Sequence, residues 1–272
     1  MMIKYLQVPI SFIKKDLLTE TSYKLHFIMQ FAGIFFSTVS FFFLSKLVGN
    51  NIGGALKPYG GDYFSFVLIG FAFTHYLRVS LQGFSSSIRE NQLMGIMEIL
   101  LVADTKLSTI IISSSLYKFL FTSIQILVFL LLGVLVFSID ISNANYVAAV
   151  IIILLTITSF SCIGIISASF IIVFKRGDPI SWIVTSLSWL LGGVYYPVSI
   201  LPPWLQKFSY ILPITYSLEG MRMALLKGYS FQQLLPNILA LCIFTLLMLP
   251  LSLYIFQLAV KKAKVDGTLT QY

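Results

Sequence analysis

Apolar runs at about residues 27–48, 62–81, 108–137, 146–174 and 234–260 constrain this chain more than anything else in it. A bilayer's hydrocarbon core is about 30 Å thick, and a helix needs about 20 predominantly apolar residues to cross it. Lipid offers backbone amides no partners, so only helices and closed barrels span membranes. Runs this long, without the ten-residue alternation of barrel strands, select helices. Hydrophobic residues make up 58% of the 272 positions and charged ones 10%, with a mean hydropathy of +0.93, which excludes a soluble domain. The expected fold is an all-α integral membrane protein.

The segments between the runs set the order. Residues 1–26 carry too many charges to span, yet Leu6, Ile10, Ile13, Leu17 and Leu18 recur at helical spacing around Lys14, Lys15 and Asp16, as in an interfacial helix. They lack a small-residue cleavage pattern, so no removable signal peptide is expected. A further run at 180–196 reads as a short fifth span that loses its helical pattern at Gly192, Gly193 and Pro197. From 197 to 229, Pro197, Pro202, Trp204, Pro213, Tyr216, Glu219 and Arg222 lie in a stretch that is amphipathic without being soluble. A re-entrant or broken helical hairpin before the last span fits it. Within the last span, Pro250 predicts a kink.

Six spans place both termini on one side, and the cations choose which side. With a cytoplasmic N-terminus, the inner segments hold Lys4, Lys14, Lys15, Lys24, Arg78, Arg89, Lys106, Lys175, Arg176, Lys261, Lys262 and Lys264; the outer ones hold Lys46, Lys57, Lys207, Arg222 and Lys227. The excess favours cytoplasmic termini and an outer hairpin. The net charge of +8 is thus explained by topology, and no nucleic-acid partner is inferred.

Between the second and third spans, residues 85–103 read as a separate surface helix. Ser87 and Glu90 have the three-residue spacing of a capping box, which predicts a helix start near Ile88. Asn91, Gly95 and Glu98 would share one face and Leu93, Ile96, Met97, Leu100 and Leu101 the other. Such a helix either tucks under the headgroups or docks a soluble partner through Arg89, Glu90 and Glu98.

Other candidates are few. Lys118 falls inside the third span, where a lysine at mid-bilayer costs about 2.5–3.5 kcal/mol, so snorkelling or a partner is expected. His75 and Arg78, near the inner end of the second span, pose the same question of substrate contact. Cys162 and Cys242 lie in apolar runs without metal spacing and read as packing residues. Only His26 and His75 are available as histidines, without paired carboxylates, so an intramembrane hydrolase is disfavoured. A self-contained channel or carrier lacks its usual buried acids and repeated halves. Glu219 and Arg222 stand i, i+3 on a helix and could pair, or anchor the hairpin.

Three segments carry a resemblance: Gly192-Gly193-Val194-Tyr195-Tyr196-Pro197, Leu201-Pro202-Pro203-Trp204-Leu205, and Leu212-Pro213-Ile214-Thr215-Tyr216 with Glu219 and Arg222. Together they resemble the C-terminal signature of the permease subunit of type-2 ATP-binding-cassette exporters, a family of drug, polysaccharide and teichoic-acid permeases. Arg89-Glu90 and Gly95-Ile96-Met97-Glu98 resemble that family's cytoplasmic coupling segment, with Ile96 where threonine is usual and Asp104-Thr105 where many members have proline. The resemblance implies a six-span half-permease that forms a homodimer, or a heterodimer with a second permease. It also implies coupling through Arg89, Glu90, Gly95 and Glu98, and an outer gate at Gly192, Gly193, Pro197, Pro202, Trp204, Pro213, Tyr216, Glu219 and Arg222. No phosphate-binding Gly-x-x-x-x-Gly-Lys-Ser/Thr loop occurs in this sequence. The resemblance therefore places ATP and Mg on a separate ATPase subunit, with no cofactor and no catalysis on this chain. The expected cargo is an amphipathic, drug-like or lipid-linked molecule, with a polysaccharide or teichoic acid as the alternative.

Overall fold

The computed structural model describes residues 2–48, 53–93, 95, 107–175 and 177–266, and it is helical with no strand among them. In chain order the helices are α1 (Met2–Ser22), α2 (Lys24–Val48), α3 (Gly53–Leu56), α4 (Tyr63–Leu93), α5 (Leu107–Leu135), α6 (Tyr146–Phe174), α7 (Pro179–Leu191), α8 (Pro203–Ser209), α9 (Pro213–Leu226) and α10 (Phe231–Val265). Single 3-10 turns occupy Lys57–Tyr59 and Val198–Ile200.

Five of these helices, α2, α4, α5, α6 and α10, contain stretches long and apolar enough to cross a membrane. The region read as a fifth span, 180–196, is instead the 13-residue helix α7. At 1.5 Å per residue it reaches about 20 Å, short of the hydrocarbon thickness. Its apolar pattern continues past Leu191, but Gly193 takes a φ of +78° and turns the chain. Among the described residues the expected sixth span therefore has no helix of crossing length.

At the centre lies α4, 78% of whose apolar window is buried inside the protein, against 11% for α2 and α10. Phe66, Leu68, Ile69, Ala72, Leu77 and Leu81 are essentially inaccessible. A side chain at Gly164 of α6 would collide with the Ser80 carbonyl, so α4 and α6 cross backbone to backbone. Small residues allow such close approach where lipid supplies no hydrophobic drive between helices. Side-chain hydrogen bonds tie the rest: Tyr76 to Ser123 at 2.8 Å, Thr156 to Ser217 at 2.6 Å, Ser159 to Thr245 at 2.8 Å and Gln125 to Gln30 at 2.8 Å. Each satisfies polar groups that hydrocarbon would leave bare.

Two boundaries differ from the sequence reading. Residues 85–93 are not the start of a separate helix: α4 runs unbroken through them to Leu93. Ser87 is an interior residue, buried, and not a cap. The neighbouring serines bond back into the helix instead, Ser85 to the Gln82 carbonyl at 3.1 Å and Ser86 to the Gly83 carbonyl at 3.2 Å. Burial of Phe84 and Ile88 against Ala168, Ile172 and Phe256 stabilises the extra turns. The helix breaks near Gly95, whose φ of +66° suits the left-handed turn after a helix end. Asn91 thus lies inside α4 and Gly95 beyond its end, so these two do not share one helical face. Glu98 and the rest of 96–103 lie outside the described residues. In α10 the helix continues through both Pro236 and Pro250.

Candidate functional site

Two polar clusters sit at opposite ends of α4. Around its C-terminal end, Lys118 of α5 donates to the Ser86 hydroxyl at 2.9 Å and lies 3.9 Å from the Glu90 carboxylate. Lys118 is therefore partnered, and it links α5 to α4 beside an exposed carboxylate. Glu90 remains 58% exposed, so this pair is worth under about 1 kcal/mol. Arg89 is exposed beside it. The cavity next to this pair, about 210 Å³, is also bordered by Asp16 and Glu20 of α1 and by Tyr117. The N-terminal helix thus packs against the same end of the bundle.

Asp178 is a hub that the sequence reading missed. Its carboxylate accepts from the Ser181 amide at 3.0 Å, from the Ser85 hydroxyl at 2.9 Å and from the Ser167 hydroxyl. It therefore caps α7 while tying α7 to α4 and α6. The signal was present: an aspartate just before a proline that opens an apolar run is an N-cap followed by Pro at N1.

The other end is built by prolines. Pro203 and Pro213 occupy the first turns of α8 and α9, and extended Pro197 and Pro202 precede a 3-10 turn and α8. Each fixes φ without removing a needed donor. The broken backbone is satisfied by side chains: Tyr216 donates to the Tyr210 carbonyl at 2.9 Å, Thr215 to Ser209 at 2.6 Å and Gln206 to Leu201 at 2.8 Å. Asn145 caps α6 and donates to the Tyr229 carbonyl at 3.0 Å, fastening this hairpin to the start of α6. Trp204 stands 62% exposed on α8, whereas Pro197 and Pro213 are buried.

Arg222 locks the hairpin to α4. Only 2% exposed, it donates Nε to the Phe66 carbonyl at 3.0 Å, Nη1 to Gly193 at 2.7 Å and Nη2 to Val194 at 2.9 Å. Its guanidinium lies 3.4 Å from the centroid of the Phe66 ring. Room for it comes from Gly70, where a Cβ would strike both Nη2 and the Val194 carbonyl. The ion pair with Glu219 is replaced by this carbonyl cradle, because a planar fork of donors fits three fixed acceptors better than one side chain. Glu219 lines a cavity of about 350 Å³ together with Tyr59, Gly192, Gly193, Pro197, Tyr210 and Arg222. Burial raises its carboxyl above the ordinary range, against the pull of the Arg222 charge. Burial, with Glu219 adding to it, pushes the Tyr59 phenol up to about 12.

Of the residues picked from sequence, the structure gathers Gly192, Gly193, Pro197, Glu219 and Arg222 around one cavity. Pro202 and Trp204 lie on the exposed edge of the same hairpin. Arg89 and Glu90 close the far end of α4, with exposed Gly95 just beyond. His75 packs edge-on against Phe71, ring centroids 5.5 Å apart, within the α4 core, and Arg78 is exposed. Gly70, Phe66, Tyr59 and Asp178 had not been singled out.

A family model described as ABC-2 type transporter matches residues 19–226, which takes in both clusters and the whole of α4. The chain belongs to the ABC-2 type transporter family. The inner membrane transport permease YadH of Escherichia coli (strain K12) is 27% identical over 192 residues, covering 68% of this chain and 70% of that protein. YadH of Shigella flexneri matches over the same shares at the same identity. The permease is a multi-pass α-helical membrane protein, and its family implies an ATP-binding-cassette partner. Among the described residues no cluster of His, Cys, Asp and Glu could hold a metal ion.

Proposed function

We propose that this permease is the membrane half of an ATP-driven exporter in which α4 acts as a rigid lever between a motor-docking end and an outer hairpin. The observation that carries the reading is the continuity of α4. One helix of 31 residues, about 46 Å long, is held by Arg222 at its first turn and carries Arg89 and Glu90 on its last. A push on the segment after Leu93 reaches the hairpin without an intervening hinge. Asp178 and Lys118 make α7 and α5 follow.

In this reading Arg89, Glu90, Gly95 and Glu98 meet a separate ATPase that binds ATP and Mg, and two permease chains form a homodimer or pair with a second permease. The termini are cytoplasmic, in line with the cation distribution, and 197–229 faces outward. The short helix α7, carried on by residues 192–196, makes the sixth crossing. Gly192, Gly193 and Pro197 form the bend at which the hairpin opens. The cargo is amphipathic, drug-like or lipid-linked, with polysaccharide or teichoic acid as the alternative. Tyr59 and Tyr210 beside a half-buried acid suit either class.

The test is co-reconstitution with the partner ATPase in vesicles. Arg89→Glu combined with Glu98→Lys should cut stimulation of ATP hydrolysis at least tenfold while the variant keeps the wild-type melting profile. Full stimulation by this variant would remove the docking role.

A further inference from the structure

Where α6, α7 and α10 meet, at the end of the bundle that carries Lys175, Lys261 and Lys262, the surface holds a slot of about 290 Å³. Its floor is made by two small buried residues, Ser169 of α6 and Ala259 of α10. The Ser169 hydroxyl donates to the Ile165 carbonyl of its own helix at 2.7 Å, so its hydrogen is already engaged. Phe170 and Phe174, stacked with centroids 4.4 Å apart, form one wall, and Leu258 forms the other. Among the described residues that line it, Lys262 alone carries a charge, and it is exposed.

We propose that this slot binds an anionic phospholipid, with one acyl chain along the phenylalanine wall and the phosphate on the Lys262 ammonium. An apolar channel with a cation at its polar end complements that molecule in both shape and charge. The lysine can lay its methylenes along the slot and present its ammonium at headgroup depth. Basic pockets between spans at a membrane surface select anionic headgroups in this way. A zwitterionic lipid gains the same chain burial but brings its own cationic group to Lys262. The inference needs only that the protein spans a membrane, so it stands or falls independently of the motor partner.

Native mass spectrometry of the purified permease with equal phosphatidylglycerol and phosphatidylcholine tests it. The wild type should retain phosphatidylglycerol in several-fold excess. Lys262→Glu should abolish that preference, whereas Lys261→Glu, outside the slot, should leave it. Ala259→Trp should fill the floor and remove the bound lipid. Should it misfold, Leu258→Gln on the exposed wall should weaken retention of both lipids. Equal retention of the two lipids by the wild type would overturn the site. So would equal losses in the two lysine variants, which would signal diffuse surface charge, or undiminished binding in a folded Ala259→Trp or Leu258→Gln protein.

Discussion

Arg222 shows what one residue does here. Replacing it with methionine leaves the buried Gly193 and Val194 carbonyls without their donor, at about 1–3 kcal/mol for each group left unpaired, and takes a second donor from the helical Phe66 carbonyl. A strongly lowered thermal midpoint is expected, and lysine should rescue it only partly, since a point charge cannot fork to three acceptors. Glu219 behaves differently, because its carboxyl is raised above the ordinary 4.5 by burial. A raised acid stabilises the fold fully while protonated in both states, below about pH 4.5, and loses that contribution as pH rises through the folded-state value. Glu219→Gln should therefore leave the melting temperature unchanged near pH 4 and raise it at pH 8. Equal shifts at both values would contradict the assignment. Residue types alone left Glu219 and Arg222 either as a pair or as an anchor of the hairpin. The carbonyl cradle was not legible, because backbone acceptors 28 and 156 residues away leave no mark in a pattern of side chains.

Among the elements, α4 is the one that local rules misplace. The apolar runs read directly as helices, and α6 occupies the same residues, Tyr146–Phe174, as its run. Ser87 and Glu90 satisfied a capping rule at the right spacing, but that rule concerns one turn only. Burial of Phe84 and Ile88 against α6 and α10 favours continuing the helix, and a local pattern cannot weigh such contacts. The length of α7 was half legible, since Gly192-Gly193 marked its end while the apolar residues beyond suggested more. The α4–α6 crossing carries its own prediction. Gly164→Leu must push the Ser80 carbonyl away, at a cost of about 1–3 kcal/mol or more, and should increase proteolysis of the folded protein in detergent. Wild-type resistance would mean that the helices do not approach this closely.

Taken whole, the molecule is a bundle in which the buried helix α4 joins two polar ends while more exposed apolar helices surround it. Its most direct test is to ask whether nucleotide at one end is felt at the other. In a Cys162→Ala, Cys242→Ala background, Trp204→Cys places a thiol on the exposed hairpin. The labelling rate with a membrane-impermeant maleimide can then be followed in vesicles holding permease and ATPase. The lever account predicts a several-fold change in rate when ATP and Mg reach the motor, and none when a Gly-Pro insertion breaks α4 after Ser80. An identical rate with and without ATP in the unbroken protein would contradict it.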